Sequence, residues 1–171
     1  GYSLKVVFVA DEEFYSFGTM ALLKSDFLAD VELAIIPEIS DFNEKTANQA
    51  IVLGRMGRTE YLFEVKGVSD HGGKARESEV AVNAVHESLK LQQKIMRYCD
   101  DCRTEFSRDG ASIVNSAYIS HHNGGEAILS VPENAYFVLD RSFVPGEDMD
   151  KEIEVLRKLI GDAYKDGTLD R

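Results

Sequence analysis

The chain has 171 residues and carries 30 acidic against 19 basic residues, a formal net charge of −11. This charge argues against nucleic acids and anionic membranes as partners, because both are themselves negative. Hydrophobic residues make up 44% of the chain, enough for a core, and the two cysteines form no disulfide framework. No apolar stretch reaches the length of a membrane span and no signal peptide is visible, so we expect a cytoplasmic protein.

Two near-continuous apolar runs near the start of the chain each end in acidic residues. Leu4–Ala10 leads into Asp11-Glu12-Glu13, and Glu32–Ile36 leads into Pro37-Glu38. Such runs predict strands of a parallel sheet, and ligands bind beyond the carboxyl ends of such strands. Carboxylates gathered there predict a bound divalent cation, since like charges at short range raise one another's pKa. The alternative for the first acidic group is a loop that caps the next helix.

The predicted elements between these runs and the second part of the chain are less regular. A short helix is predicted over Phe14–Lys24, and a further strand over Ala50–Leu53. We place a domain boundary in this region, dividing 1–55 from 56–171. Because the first residue is not methionine and a core-like strand follows within a few residues, our working hypothesis is a section of a longer protein.

The second part alternates strands and helices in the order β-α-β-β-α, typical of a ferredoxin-like (split βαβ) domain with an antiparallel sheet and two helices. The predicted strands are Tyr61–Lys66, Ser112–Ser120 and Ala135–Val144, with a hairpin tip at His121–Gly125. Helical spacing predicts a helix over 79–97 and a last helix that begins after Pro145-Gly146 and ends near Gly167. The residues expected on the buried sides of these helices are Val82, Val85, Leu89 and Met96, and then Met149, Ile153, Leu156 and Ile160. The fold class is therefore α/β (α+β).

Three further positions carry side chains suited to chemistry. His71 lies in a glycine-rich loop between a strand and a helix, where it is either a solvated loop residue or a group that stabilises an oxyanion. Cys99 and Cys102 have zinc-ligand spacing, but no second pair exists, which favours free thiols. Arg141 shares a strand face with apolar residues, so it either pairs with an anion or extends to water.

Taken together, these motifs resemble the di-zinc metallopeptidase family of aminoacylases, glutamate carboxypeptidases, acetylornithine deacetylases and succinyl-diaminopimelate desuccinylases. The segments that carry the resemblance are Val7–Glu13, Ala34–Ser40, Tyr61–Gly67 with His71, Val82–Val85, Gly124-Gly125, Ser130–Pro132 and Asp140–Glu147. The resemblance covers nearly the whole chain, as the middle section of such an enzyme: part of the catalytic domain, followed by most of the lid (dimerisation) domain.

The resemblance implies a role for each of five residues. Glu12 would be the general base, and Glu13 and Glu38 would be ligands of the two zinc ions, with cobalt or manganese as alternatives. His71 would extend from the lid into the active site of the partner subunit of a homodimer and hold the scissile carbonyl oxygen. Arg141 would bind a substrate carboxylate. The substrate would be an N-acyl amino acid or small peptide, cleaved at an amide bond by metal-activated water.

The chain departs from the family pattern in ways that bear on its activity. Ser142 and Ser130 stand where the family usually has arginine and asparagine, and the family's other histidine and aspartate ligands are missing. We therefore expect weak or no metal binding by this chain alone and no activity of the isolated chain. Two other functions remain open: an association module without chemistry, and a metal-free relative that binds a small acidic ligand.

Overall fold

The computed structural model describes residues 3–37, 54–75, 77–125 and 127–170. The chain divides into two compact units, Gly1–Val52 and Leu53–Arg171. In the first unit, helix α1 spans Phe17–Leu23 and a single 3-10 turn spans Asp26–Leu28, where the Ser25 hydroxyl accepts the Phe27 N–H. The predicted helix at Phe14–Lys24 is confirmed with a later start, because Ser16 adopts a left-handed conformation before it.

The two strands predicted in this unit are not formed. Leu4–Ala10 and Glu32–Ile36 are irregular, and their apolar side chains are exposed: 87% for Leu4, 94% for Phe8 and 84% for Ile35. The expectation of a parallel sheet here is therefore wrong for the described residues. A strand exists only where its backbone pairs with a neighbour, and no described segment of this unit pairs with either run. The predicted strand at Ala50–Leu53 lies outside the described residues.

The second unit is built on an antiparallel sheet. Its strands are β1 (Gly57–Lys66), β4 (Ser116–Gly124) and β5 (Asn134–Phe143), in the order β1-β5-β4. Helices α2 (Ala84–Asp101) and α3 (Met149–Lys165) complete the β-α-β-β-α order. The mixed α+β class, with an antiparallel sheet and two helices in this unit, is confirmed.

A small hairpin interrupts this order between α2 and β4. Strands β2 (Glu105–Arg108) and β3 (Ala111–Val114) pair through a turn in which Asp109 and Gly110 both have positive φ, 52° and 82°. An Asp-Gly pair favours such a two-residue turn. The single strand predicted at Ser112–Ser120 is therefore two strands, separated at Asn115, whose side chain accepts the Thr104 N–H.

Strand β4 also extends further than the sequence indicates. His121–Gly124, predicted as a hairpin tip, continues to pair with β5 after a bulge between Ile119 and His121. The bulge shifts the register by one residue, so the pairing resumes with His121 opposite Val138. That prediction was wrong because the polar, glycine-containing sequence is compatible with an exposed strand.

The core lies between one face of the sheet and the two helices. It is centred on Phe137 and Leu139 of β5, with Phe63 of β1 stacked on Phe137 at 4.6 Å between ring centroids. The residues that α2 buries are Ala84, Glu87, Ser88, Leu91, Ile95 and Cys99. The buried side of α2 is therefore not the one predicted from its apolar spacing, since Leu89 of the predicted side is 43% exposed.

Helix α3 shows a similar offset. Its buried residues are Glu152, Leu156 and Ala163, whereas Met149 and Ile153, expected in the core, are 49% and 36% exposed. The side of α3 that carries Glu152 is buried, because the Glu152 carboxylate pairs with Arg141 of the sheet.

The two cysteines are free thiols in different environments. Cys99 is buried and Cys102 is exposed, and burial raises the pKa of the Cys99 thiol to about 11. Because the thiolate is the reactive form, we expect iodoacetamide to alkylate Cys102 rapidly in the native chain and Cys99 only after unfolding. Mass spectrometry of the native chain and of a Cys102→Ser control checks this. Fast native alkylation of the control would contradict the buried position of Cys99.

Candidate functional site

The first candidate segment, Asp11-Glu12-Glu13, lies in an exposed turn just before α1. Asp11 has a φ of 64° and its carboxylate accepts the Phe17 N–H at 3.3 Å, while the Ser16 hydroxyl donates to the Glu12 carbonyl. Asp11 therefore serves the start of the helix, in line with the capping alternative. The neighbouring Glu12 and Glu13 side chains are exposed to solvent.

The predicted metal ligands do not form a complete site within the described residues. Glu38 lies outside them. In the described part of the chain no three His, Cys, Asp or Glu side chains cluster in a way that could hold a metal ion. A protein zinc site takes three or four such ligands. The described residues alone therefore do not provide a zinc site.

The second candidate segment is the loop that follows β1 and carries His71. The side chain of His71 is exposed, and a single 3-10 turn, Gly72–Lys74, begins directly after it. The His71 N–H donates to the Asp70 carboxylate at 2.7 Å. The hydroxyl of Ser78, and then this backbone N–H, lower the pKa of Asp70 below its usual range. At neutral pH the Asp70 carboxylate is therefore ionised, and it stabilises the loop by accepting the His71 N–H.

The ring of His71 has a defined orientation. Its Nδ1 accepts the Gly73 N–H at 3.1 Å. A nitrogen that accepts a hydrogen bond carries no proton, so the proton of the neutral ring is on Nε2. The ring therefore presents an Nε2–H donor, the kind of group that binds a carbonyl oxygen or a developing oxyanion.

A second segment of the same unit holds this loop in place. His71 forms an isolated bridge with Ser130, the Gly72 N–H donates to the Leu129 carbonyl at 2.6 Å, and the Val131 N–H donates to the Asp70 carbonyl at 2.8 Å. A Cβ at Gly72 would lie 2.9 Å from the Leu129 oxygen, so only glycine fits there. Leu129 itself has a φ of 67°, which is strained for a leucine. The loop that carries His71 is thus held in place by backbone hydrogen bonds to the segment 129–131.

A small concave surface adjoins this loop. Its lining residues are Ser69, Ala127, Ser130, Val131, Pro132, Glu133 and Asn134. They combine apolar carbons with hydroxyl, carboxylate and amide groups, a mixture that can both contact and orient a small ligand. Of these residues, only Ser130, Val131 and Pro132 belong to the sequence motifs that carry the family resemblance.

Arg141, predicted to bind a substrate carboxylate, is buried at 3% exposure. Its guanidinium donates to Glu147 at 2.9 Å, to Glu152 at 3.3 Å and to the Ser142 carbonyl at 2.6 Å. Burial lowers the pKa of the guanidinium, but the charges of Glu147 and Glu152 more than offset this and leave the pKa raised. The anion that this arginine needs is therefore supplied from within the unit.

Further groups extend this buried network. The Tyr98 hydroxyl donates to Glu152 at 2.8 Å, and the Asn115 amide donates to Glu147 at 2.6 Å. Burial first, and then the Glu152 carboxylate, raise the pKa of Tyr98. The network connects α2, the β3–β4 junction, β5 and α3, which no local sequence pattern indicated.

A second arginine, Arg58, forms an ion pair with a buried carboxylate on the opposite face of the sheet, and the sequence patterns did not predict it. Arg58 donates to the buried Asp140 carboxylate at 2.5 to 3.1 Å, and Tyr118 donates to the same carboxylate at 2.9 Å. The hydrogen bond from Arg58 lowers the pKa of Asp140, against the effect of burial. Glu60 lies opposite Asp140, and Arg58 is two residues before Glu60 on the same face of the sheet. This period-two alternation was the signal available in the sequence.

This α+β unit, with a rigid histidine loop beside its sheet, belongs to a known class of domain. The family model described as a peptidase dimerisation domain, M20_dimer, matches residues 53–168. The match covers more than half of the chain, and the chain belongs to this family of M20 peptidase dimerisation domains. The family resemblance proposed from the sequence motifs is confirmed, whereas none of the curated proteins matches the chain.

Several solved structures align with part of this chain. AtUAH in complex with (S)-hydroxyglycine aligns with a TM-score of 0.50 at 13% identity, covering 65% of this chain and 24% of that chain. The aminobenzoyl-glutamate utilization protein from Klebsiella pneumoniae aligns at 0.46 and 16%, covering 63% and 25%. The M20 family metallo-carboxypeptidase Sso-CP2 from Sulfolobus solfataricus aligns at 0.45 and 16%, covering 66% and 36%. The chain thus spans about a quarter to a third of the length of these proteins.

Within the described ranges, no helix combines the length and apolar character needed to cross a bilayer.

Proposed function

We propose that the whole protein is a zinc-dependent amide hydrolase of the deacylase, carboxypeptidase or dipeptidase type, acting on an N-acyl amino acid or small peptide in the cytoplasm. In this proposal, Glu12 removes a proton from the attacking water and later returns it to the leaving amine. Glu13 and Glu38 supply carboxylate ligands for metal, with other ligands from residues beyond those described. Cobalt or manganese would serve as alternatives to zinc.

The observation that carries this proposal is the fixed orientation of His71. An exposed histidine whose Nδ1 accepts the Gly73 N–H presents Nε2–H to solvent from a loop held by Ser130 and Leu129. A preorganised donor of this kind stabilises the negative charge that develops on a carbonyl oxygen during amide hydrolysis. We propose that His71 performs this role in the active site of the partner subunit of a homodimer.

Arg141 does not contact the substrate in this mechanism. Its guanidinium is engaged by Glu147 and Glu152, so we propose a structural role for it in place of the substrate role that the resemblance implied. The polar groups beside the His71 loop, Ser69 and Ser130 among them, are better placed to contact a substrate.

A second function is favoured by one observation. The family model that matches residues 53–168 is that of a dimerisation domain. The contribution of this chain by itself would then be association of two subunits, with chemistry supplied by the rest of the protein. The two functions are compatible, because one concerns the whole protein and the other this chain.

Replacement of His71 by alanine in the whole protein tests the proposed hydrolase. Loss of one oxyanion donor typically lowers kcat about 10²- to 10³-fold, and we expect a fall of this size with little change in KM. The matched control is His86→Ala, because His86 is also an exposed histidine of the same unit. Steady-state kinetics on a panel of N-acyl amino acids and dipeptides provide the measurement. Equal activity of the two variants would exclude His71 from the mechanism.

A further inference from the structure

The structure assigns Asp70 as the positioning residue of His71, the residue that fixes the direction in which the ring donor faces. The assignment rests on the proposed function of His71 and adds the group on which the orientation of this donor depends. Asp70 is bonded in two ways: its backbone carbonyl accepts the Val131 N–H at 2.8 Å, and its carboxylate accepts the His71 N–H at 2.7 Å. It therefore connects the neighbouring segment directly to the histidine.

The backbone bridge between His71 and Ser130 uses no polar atom of His71 itself. Its two hydrogen bonds involve Asp70 and Gly72, the residues on either side of the histidine. In a pair of this kind the N–H and C=O of the central residue point away from the neighbouring segment. For His71 these two groups bond within the loop, the N–H to the Asp70 carboxylate and the carbonyl to the Lys74 N–H at 2.8 Å. The Asp70 side chain thus supplies support that the bridge does not.

The two residues that follow His71 make this support necessary. Gly72 and Gly73 are consecutive glycines, the residue type with the widest range of backbone conformations. The ring is oriented by the Gly73 N–H, which donates to Nδ1 at 3.1 Å. A rotation of the His71 backbone would break that bond, and Nε2–H would lose its fixed direction. The Asp70 carboxylate restricts the rotation because it binds the His71 N–H, and a charged acceptor makes the stronger hydrogen bond.

The Asp70 carboxylate is itself held from the far end of the loop. Asp70 and Ser78 are both half-buried, and the Ser78 hydroxyl bonds to this carboxylate. The same hydroxyl oxygen accepts the Ala81 N–H at 3.2 Å. Val68 and Val82 then close the base of the loop with paired backbone hydrogen bonds of 2.8 and 3.0 Å. The carboxylate therefore has a defined place inside a closed loop, as a preorganised donor requires of its supporting groups.

Solution NMR of the isotope-labelled full chain, above neutral pH where the ring is uncharged, tests the assignment without an activity assay. The scalar coupling between the Gly73 amide nitrogen and Nδ1 of His71 reports on the hydrogen bond that orients the ring. We expect this coupling to be lost in Asp70→Ala and retained in Asp70→Asn, whose amide oxygen still accepts the His71 N–H. The matched control is Asp101→Ala, at an exposed aspartate of the same unit, where the coupling should persist. An unchanged coupling in Asp70→Ala overturns the assignment.

A second variant keeps the test valid if Asp70→Ala does not fold. Ser78→Ala removes the hydroxyl that holds the Asp70 carboxylate, and we expect a weaker coupling between Gly73 and His71 in this variant. Ser78→Thr retains a hydroxyl and should restore the coupling. A coupling that is the same in both Ser78 variants and in the unmodified chain overturns the assignment.

Kinetics of the whole protein provide a separate test. We expect Asp70→Ala to lower kcat about 10- to 100-fold with little change in KM, because a donor displaced by about 1 Å stabilises the oxyanion poorly. Asp70→Asn should recover most of the loss. In a His71→Ala background, Asp70→Ala should have no further effect, since a positioning residue acts only through the group that it positions. Equal losses in the two backgrounds would contradict the assignment.

The two measurements distinguish failure of this assignment from failure of the proposed function. Full activity of His71→Ala would remove His71 from hydrolysis, whereas loss of the Gly73 coupling in Asp70→Ala would still support Asp70 as the residue that orients the ring. An inactive His71→Ala variant together with a coupling that does not depend on Asp70 would leave the proposed function in place and overturn the assignment.

Discussion

Replacing Glu12 by glutamine in the whole protein is expected to lower kcat by about 10²- to 10⁴-fold, the usual contribution of a general base. The amide has nearly the same shape as the carboxylate but cannot accept a proton from water. Because the Glu12 side chain is exposed in a turn, the substitution should leave the thermal midpoint of unfolding unchanged. KM should change little, since the side chain acts on the attacking water and not on substrate binding.

The control for this experiment is Glu32→Gln, an exposed glutamate of the same unit with the same loss of charge. A comparable fall in the control would indicate an effect of net charge. Unchanged turnover in the Glu12 variant would exclude it as the base and favour the association function alone.

Replacing Arg141 by methionine is expected to destabilise the second unit by about 3–5 kcal/mol, because Glu147 and Glu152 would be left without their cation. Small domains are stable by only about 5–15 kcal/mol, so this loss should be evident as a much lower urea midpoint. The matched control is Arg103→Met. Arg103 forms an exposed ion pair with Asp100, and such pairs contribute about 0–1 kcal/mol.

A triple variant separates loss of charge balance from loss of packing. Adding Glu147→Gln and Glu152→Gln to Arg141→Met removes the uncompensated negative charges, and a good part of the stability should return. A substrate-binding arginine would behave differently, with a raised KM and an unchanged urea midpoint. That outcome would restore the role that the family resemblance implied for Arg141.

Much of the second unit was predictable because its patterns are local. The alternation along β1 and β5 and the helical spacing of α2 and α3 follow from periods of two and 3.6 residues, and they placed these elements to within a few residues. The segment between α2 and β4 was not predicted as a hairpin, although the Asp109-Gly110 turn was a usable signal. The His71 loop was identified by its position between a strand and a helix, but its ring orientation depends on a contact with Gly73.

Local sequence patterns were enough to predict the order of elements in the lid-type unit and the family to which the chain belongs. The buried side of α3 depends on a contact between distant elements, because Glu152 of α3 is buried where it pairs with Arg141 of β5. The same holds for Leu4–Ala10, which forms no strand, since an apolar run favours burial but only a neighbouring backbone supplies the hydrogen bonds of a strand.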